Sequence, residues 1–167
     1  MLRSLTAGLE AAVEWFGRLA ALCCILLVLL VAGNVFGRYF LSTGTIWLEE
    51  LEWHLLSPIA LLGMAYTLLH GEQVRVDVLF DRFPPRAKAL IEVITGVLIV
   101  VFAGVLVKLS IPFVMQAYRI GEGSPNPGGV DYRFLLKAFI PLGFAALALQ
   151  GVFHVLKHSA FVLSPRK

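Results

Sequence analysis

The sequence predicts an all-α integral membrane protein with four transmembrane helices. Three observations carry the prediction. The 167 residues are 59% hydrophobic and only 15% charged, whereas a typical soluble domain is about 25% charged. Four stretches are apolar over lengths that cross about 30 Å of hydrocarbon, which takes about 20 residues at 1.5 Å each. The connections between them leave no room for a soluble domain. The net charge of +3 is small, and in a membrane protein it bears on orientation rather than on an acidic partner. Membrane lipid is therefore the expected surrounding and nucleic acid is not an expected partner.

The whole chain, 1–167, reads as a single four-helix membrane domain with spans near 19–40, 46–69, 87–115 and 134–157. The first span contains "LAALCCILLVLLVAGNVFG", residues 19–37, with no charge between Arg18 and Arg38. It is too long for a signal-peptide core, lacks a small-residue cleavage site and holds Asn34, so an uncleaved anchor is expected. Cys23 and Cys24 are adjacent on this helix and point about 100° apart, which disfavours a structural disulfide between them. Asn34 can bond across helices or to its own helix. Upstream, Leu2, Leu5, Leu9, Val13 and Phe16 recur at helical spacing opposite Arg3, Glu10 and Glu14. That pattern suits either a short interfacial helix or an extension of the first span.

The connection "YFLSTGTI" is short, so the first two helices form an antiparallel hairpin. The second helix opens with "TIWLEELEWHLL", residues 45–56. Carboxylates are favoured in the first turns of a helix because the N-terminus carries about half a positive charge. Thr45 is the candidate cap, although Leu48 stands where a capping box needs Glu or Gln. Helical spacing puts Trp47, Glu50, His54 and Ser57 on one stripe and Glu49 with Glu52 on another. A charge descending into lipid needs a partner. Glu50 is therefore expected to face Arg38, at the end of the first helix, or another subunit, with Glu49 and Glu52 on a wetter face. The simpler alternative is an interfacial anchor with solvated glutamates. The candidate partner-interface residues are Arg38, Trp47, Glu49, Glu50 and His54.

The next connection, "HGEQVRVDVLFDRFPPRAK", offers a short amphipathic segment. Val78, Leu79, Phe80 and Phe83 would meet the membrane while Asp77, Asp81 and Arg82 face water. Pro84–Pro85 marks the start of the third helix. There Glu92 is expected in a surface pair with Lys88, and Gly96 with Gly104 forms a small-residue seam for close packing. Pro58, Pro112 and Pro141 are expected to bend the second, third and fourth helices. The last connection, "YRIGEGSPNPGGVDYR", is rich in turn formers. Pro125 and Pro127 restrict their own φ and the residues before them, which suits a preshaped docking surface for a soluble partner. Its candidate residues are Ser124, Pro125, Asn126 and Pro127; a plain connector is the alternative. The fourth span is built on "AFIPLGFAALALQGVF", residues 138–153, lengthened by Phe134 to Leu136 and by Val155 and Leu156.

Orientation follows from Lys and Arg. With the N-terminus cytoplasmic, the inner segments hold Arg3, Arg18, Arg75, Arg82, Arg86, Lys88, Lys157, Arg166 and Lys167. The outer segments hold Arg38, Arg119, Arg133 and Lys137, and Lys108 lies in the third helix towards its outer end. This asymmetry favours both termini inside.

Four pieces in order are Arg38-Tyr39, Trp47-Leu48-Glu49-Glu50, Leu62-Gly63-Met64-Ala65 and Val74-Arg75-Val76-Asp77. In combination they resemble the small permease subunit, of DctQ type, of tripartite ATP-independent periplasmic (TRAP) transporters. Gln73 stands where that family often has His, and His70 lies three residues earlier. "GEGSPNPGGVDYRFLLKAFIPLGFAALALQG", residues 121–151, is similar to the subgroup labelled mannitol/chloroaromatic, whose binding proteins include ones for 2-oxo acids and lactate. The resemblance covers about residues 30–151. It implies a non-catalytic subunit of a bacterial or archaeal cytoplasmic (inner) membrane, without cofactor or metal. A large multi-span permease subunit would carry the sodium and substrate sites, and a periplasmic substrate-binding protein would deliver an organic acid. This subunit would enlarge the static scaffold. No inverted repeat in the sequence suggests a transport site of its own.

Two other classes fit parts of the pattern. A haem-b anchor uses paired histidines on facing helices. Of His54, His70, His154 and His158, only His70 and His154 match in depth. A small assembly factor or lone channel would need none of the partners above.

Overall fold

The computed structural model describes residues 2–72, 80 and 82–162, and side chains within 8–72, 80 and 82–159. The Val74–Asp77 motif, Gln73, and Val78, Leu79 and Asp81 of the amphipathic segment lie outside the described residues. Four helices make up the fold: α1 (Leu2–Phe40), α2 (Ile46–His70), α3 (Pro85–Arg119) and α4 (Arg133–Val162). No strand occurs among the described residues.

Helix α1 corrects one of the two N-terminal expectations. There is no separate interfacial helix: α1 runs unbroken for 39 residues, roughly 58 Å at 1.5 Å per residue. Leu9, Val13 and Phe16 of its early apolar stripe pack on protein. Val13 is fully buried with Ala65 and Ala146, and Leu9, Phe16, Tyr66 and Leu69 pack around them. Glu14 on α1 accepts from His70 Nε2 at 2.8 Å, fastening the start of α1 to the end of α2.

Three helices are long and apolar enough to cross a membrane: α1 over Gly8–Phe40, α3, and α4 over Arg133–Ser159. Helix α2 has 25 residues, enough in length. Glu49, Glu50, Glu52, His54 and His70 crowd its apolar stretch from both ends, so it falls short of the other three in apolar character.

The helices pack as a row in the order α1, α2, α4, α3, with the longest interface between α3 and α4. The pairs α1–α2 and α3–α4 are antiparallel hairpins, and α2 runs parallel to α4. Small residues set the spacing. A Cβ placed on Gly143 would lie 2.5 Å from the carbonyl oxygen of Leu61, so α4 crosses α2 where only glycine fits. Gly96 performs the seam role between α3 and α4, since a Cβ there would lie 2.6 Å from Val155 Cγ2; a Cβ at Gly104 would meet no described atom within 4 Å. Pro58, Pro112 and Pro141 all lie inside continuous helices.

The row leaves α1 and α3 as flanks. Leu22, Ile25 and Leu29 on α1 and Leu98, Val101 and Phe102 on α3 are exposed. In water such faces would be a liability; in hydrocarbon they meet a solvent as apolar as themselves. Both thiols are free, Cys23 buried and Cys24 exposed.

Candidate functional site

The end of the row that carries the α1–α2 and α3–α4 connections holds the densest polar network. Helix α2 starts it. Thr45 occupies the N-cap position with extended backbone, but its hydroxyl makes no capping bond. The α1–α2 turn closes instead through Gly37, whose carbonyl accepts from the amides of Leu41 and Thr43 at 3.0 and 3.1 Å. Thr43 Oγ1 donates to the same oxygen at 3.2 Å.

The three glutamates then separate by partner. Glu49 pairs with Arg38 across the turn, both side chains being about half exposed. Glu52 accepts from Asn34 Nδ2 at 3.1 Å. Asn34 thus bonds across helices, which settles that alternative. Glu50 is buried, with 8% of its surface exposed, and its partners come from the α3–α4 connection. Its Oε1 accepts from the Ser124 hydroxyl and from Asn126 Nδ2 at 3.0 Å. Its Oε2 accepts from the Val130 amide at 2.8 Å. Arg133 Nη2 stands 3.9 Å from Oε1. The expected Glu50–Arg38 pairing is therefore corrected: Arg38 belongs to Glu49, and Glu50 belongs to the loop. The physical reason is reach. Arg38 ends α1 beside the exposed stripe of α2, whereas the Glu50 stripe faces α4 and the loop that precedes it.

The loop is shaped to meet that carboxylate. Ser124 Oγ also accepts from the Asn126 amide at 3.0 Å, and Gly129 N donates to Asn126 O at 3.1 Å. Gly128 has φ +78, a conformation that favours glycine. A Cβ on Gly129 would lie 2.6 Å from Glu50 Oε2 and would also strike the Ser124 side chain. The two ends of the loop are joined where Arg133 N donates to Glu122 O at 3.1 Å. Glu122 binds Lys137 at 2.5 Å, and that ammonium lies 4.0 Å from the centre of the Phe113 ring. Tyr132 takes φ +63, rare for a residue with a side chain, and its ring stands exposed near Phe134.

The docking candidates consequently divide. Ser124 and Asn126 bond to Glu50, while Pro125 and Pro127 make no such bond; Pro125, Asn126 and Pro127 are all exposed. Among the interface candidates, Trp47 is exposed. His54 Nδ1 donates to the Glu50 carbonyl at 2.8 Å, and its buried Nε2 has no hydrogen-bond partner among the described residues. Sequence reasoning missed Val130, Gly129 and Arg133 as part of this unit. Gly128-Gly129 after Ser-Pro-Asn-Pro was the available signal for a tight approach, but it does not say to what.

The histidines suited in depth to a haem are each bonded to a carboxylate: His70 to Glu14 and His154 to Glu92 at 2.9 Å. Glu92 is also a correction. It is buried at 7% exposure and bonded to His154 on α4, not solvated at the surface.

Residues 27–160 match the family described as tripartite ATP-independent periplasmic transporters, DctQ component. The chain belongs to this family. It is also similar to the ectoine TRAP transporter small permease protein TeaB of Halomonas elongata, with 26% identity over 145 residues, 84% of this chain and 74% of that one. A TRAP transporter small permease protein of Haemophilus influenzae is 29% identical over 136 residues, 79% of this chain and 81% of that one. A small permease subunit of a TRAP transporter is a multi-pass membrane component of transport rather than an enzyme. The Glu50–loop network lies within the matched residues.

Proposed function

We propose that this small permease subunit is a static scaffold in sodium-coupled, binding-protein-dependent uptake of an organic acid, a carboxylate of the 2-oxo acid or lactate kind. In this reading all four helices span the inner membrane, α2 included, because α2 lies between α1 and α4 and its glutamates are paired at one end. Both termini are cytoplasmic, in accord with the Lys and Arg asymmetry. The large permease subunit covers an apolar flank of the row. The Glu50-held loop faces the periplasm, where Pro125, Pro127 and the nearby aromatic rings offer a surface for the substrate-binding protein.

One observation carries the reading. The two hairpins are locked together, by the Glu50 network at one end and by the Gly143–Leu61 approach between α2 and α4. A body with a buried carboxylate bonded at both oxygens and glycine-tight crossings resists the hinge and shear motions a moving domain needs. It suits the part against which such a domain works. The ectoine attached to the name of one relative belongs to that protein; the substrate here is set by partners.

The test is reconstitution of this chain with its large permease subunit and binding protein in sodium-free vesicles, which are then diluted into buffer with or without sodium. Carboxylate uptake that needs all three proteins and a sodium gradient supports the reading. Uptake by the large subunit and binding protein alone, at undiminished rate, overturns it.

A further inference from the structure

We propose that Glu92, His154 and His158 form a binding site for a divalent transition metal of the Zn²⁺ class, bridging α3 to α4 at the end of the row opposite Glu50. One ligand atom from each residue lies within 4.8 Å of the others. Glu92 comes from the second turn of α3. His154 and His158 are four apart on α4 and so share a face. Glu92 and His154 are buried at 7% and 8% exposure, and His158 is half-buried.

The donor set is two imidazoles and one carboxylate. Three protein ligands of this kind, with a water in the fourth position, suit tetrahedral zinc. Metal–ligand bonds of about 2.0–2.1 Å place donor atoms about 3.3 Å apart. His154 Nε2 and Glu92 Oε2 now stand 2.9 Å apart as a hydrogen bond, so a metal needs a separation of a few tenths of an ångström there. It also needs the hydrogen on His154 Nε2 to move to Nδ1 or to water, which makes binding compete with a proton. A simple Glu–His pair requires only one imidazole; the second, one turn away, is what completes a ligand set.

Two further features point the same way. His158 Nδ1 donates to the His154 carbonyl at 2.9 Å. That bond leaves the lone pair on Nε2 and fixes the ring, the arrangement that outer partners give to metal-bound imidazoles. Beside the cluster, an open pocket of about 320 Å³ has Glu92 and His158 in its wall, providing an entry path and room for a coordinated water. Gly96 permits the approach, since a Cβ there would lie 3.4 Å from His154 Cδ2. Lys88 shares the pocket, and its ammonium lies 5.3 Å from the Phe80 ring centre.

The experiment uses the full chain, purified without a histidine tag, washed with chelator and titrated with Zn²⁺ and Co²⁺. The expected result is one metal retained per chain, a visible Co²⁺ absorption of tetrahedral type, and a rise in unfolding temperature with Zn²⁺. His158→Gln and Glu92→Gln should each weaken binding by at least about tenfold, whereas His54→Gln and His70→Gln should leave it unchanged. Helical circular dichroism of each variant separates lost ligation from lost fold, and His158, being half-buried, is the variant least prone to unfold. Failure to retain metal in the unaltered chain overturns the proposal. So does retention that survives both Glu92→Gln and His158→Gln, which would place the ion elsewhere.

Discussion

The Glu50 carboxylate accepts a hydrogen bond from the Val130 amide at 2.8 Å across 80 residues of sequence. With Ser124 and Asn126 it turns the loop between α3 and α4 into a cover over the start of α2. A carboxylate is well matched to this task, because it only accepts, and the three groups that reach it here all donate.

Glu50→Gln should therefore be costly. The amide keeps one accepting oxygen but turns an NH₂ towards donors that have lost their acceptor. Removing one partner of a buried charged network costs about 3–5 kcal/mol, whereas an exposed pair such as Arg38–Glu49 is worth about 0–1 kcal/mol. Thermal unfolding of the purified complex should show a large drop for Glu50→Gln and a small one for Glu49→Gln. Glu50→Gln combined with Asn126→Ala should be less than additive, and combined with Arg38→Gln it should be additive. Coupling to Arg38 would contradict the partition of charges described above.

Gly129→Ala tests the close approach directly. Its Cβ would lie 2.6 Å from Glu50 Oε2, so either the loop or the carboxylate must move. Overpacking of this kind costs about 1–3 kcal/mol. The expected outcome is a lower unfolding temperature together with faster proteolysis within residues 120–132. Equal proteolysis of variant and parent would mean that the loop is not held at this point.

Pro125→Ala with Pro127→Ala should separate docking from folding. Both prolines are exposed, and neither side chain touches Glu50 among the described contacts. Loosening the loop costs about 0.4–1 kcal/mol per site through the entropy of ordering. Uptake should then need a several-fold higher concentration of binding protein, with the amount of complex unchanged. An unaltered dependence on binding protein would leave the loop as a connector.

Topology can be read with a reporter active only outside the cytoplasm. Fused after Lys167 it should be silent, and inserted beside Asn126 it should be active. The reverse pattern would overturn the orientation drawn from Lys and Arg.

Apolar length and 3.6-residue periodicity are local properties, and they were enough to place α1, α2, α3 and α4, the two hairpins, and the glutamate-rich start of α2. The family likeness was likewise visible, because its motifs are short and ordered along the chain. Partner choice was not. Helical spacing put Glu50 with His54 and Glu49 with Glu52, but it could not say which stripe would turn towards α4. Nor could it find donors 74 to 80 residues away. Glu92 and Lys88 are four apart and looked like a surface pair, yet the rotation of α3 against α4 buries Glu92 against His154. The same rotation brings His158 into its cluster. A sequence fixes which groups share a face of one helix; which face meets which neighbour depends on how the helices pack, and glycines such as Gly143 and Gly96 set that packing by how closely they let two backbones approach.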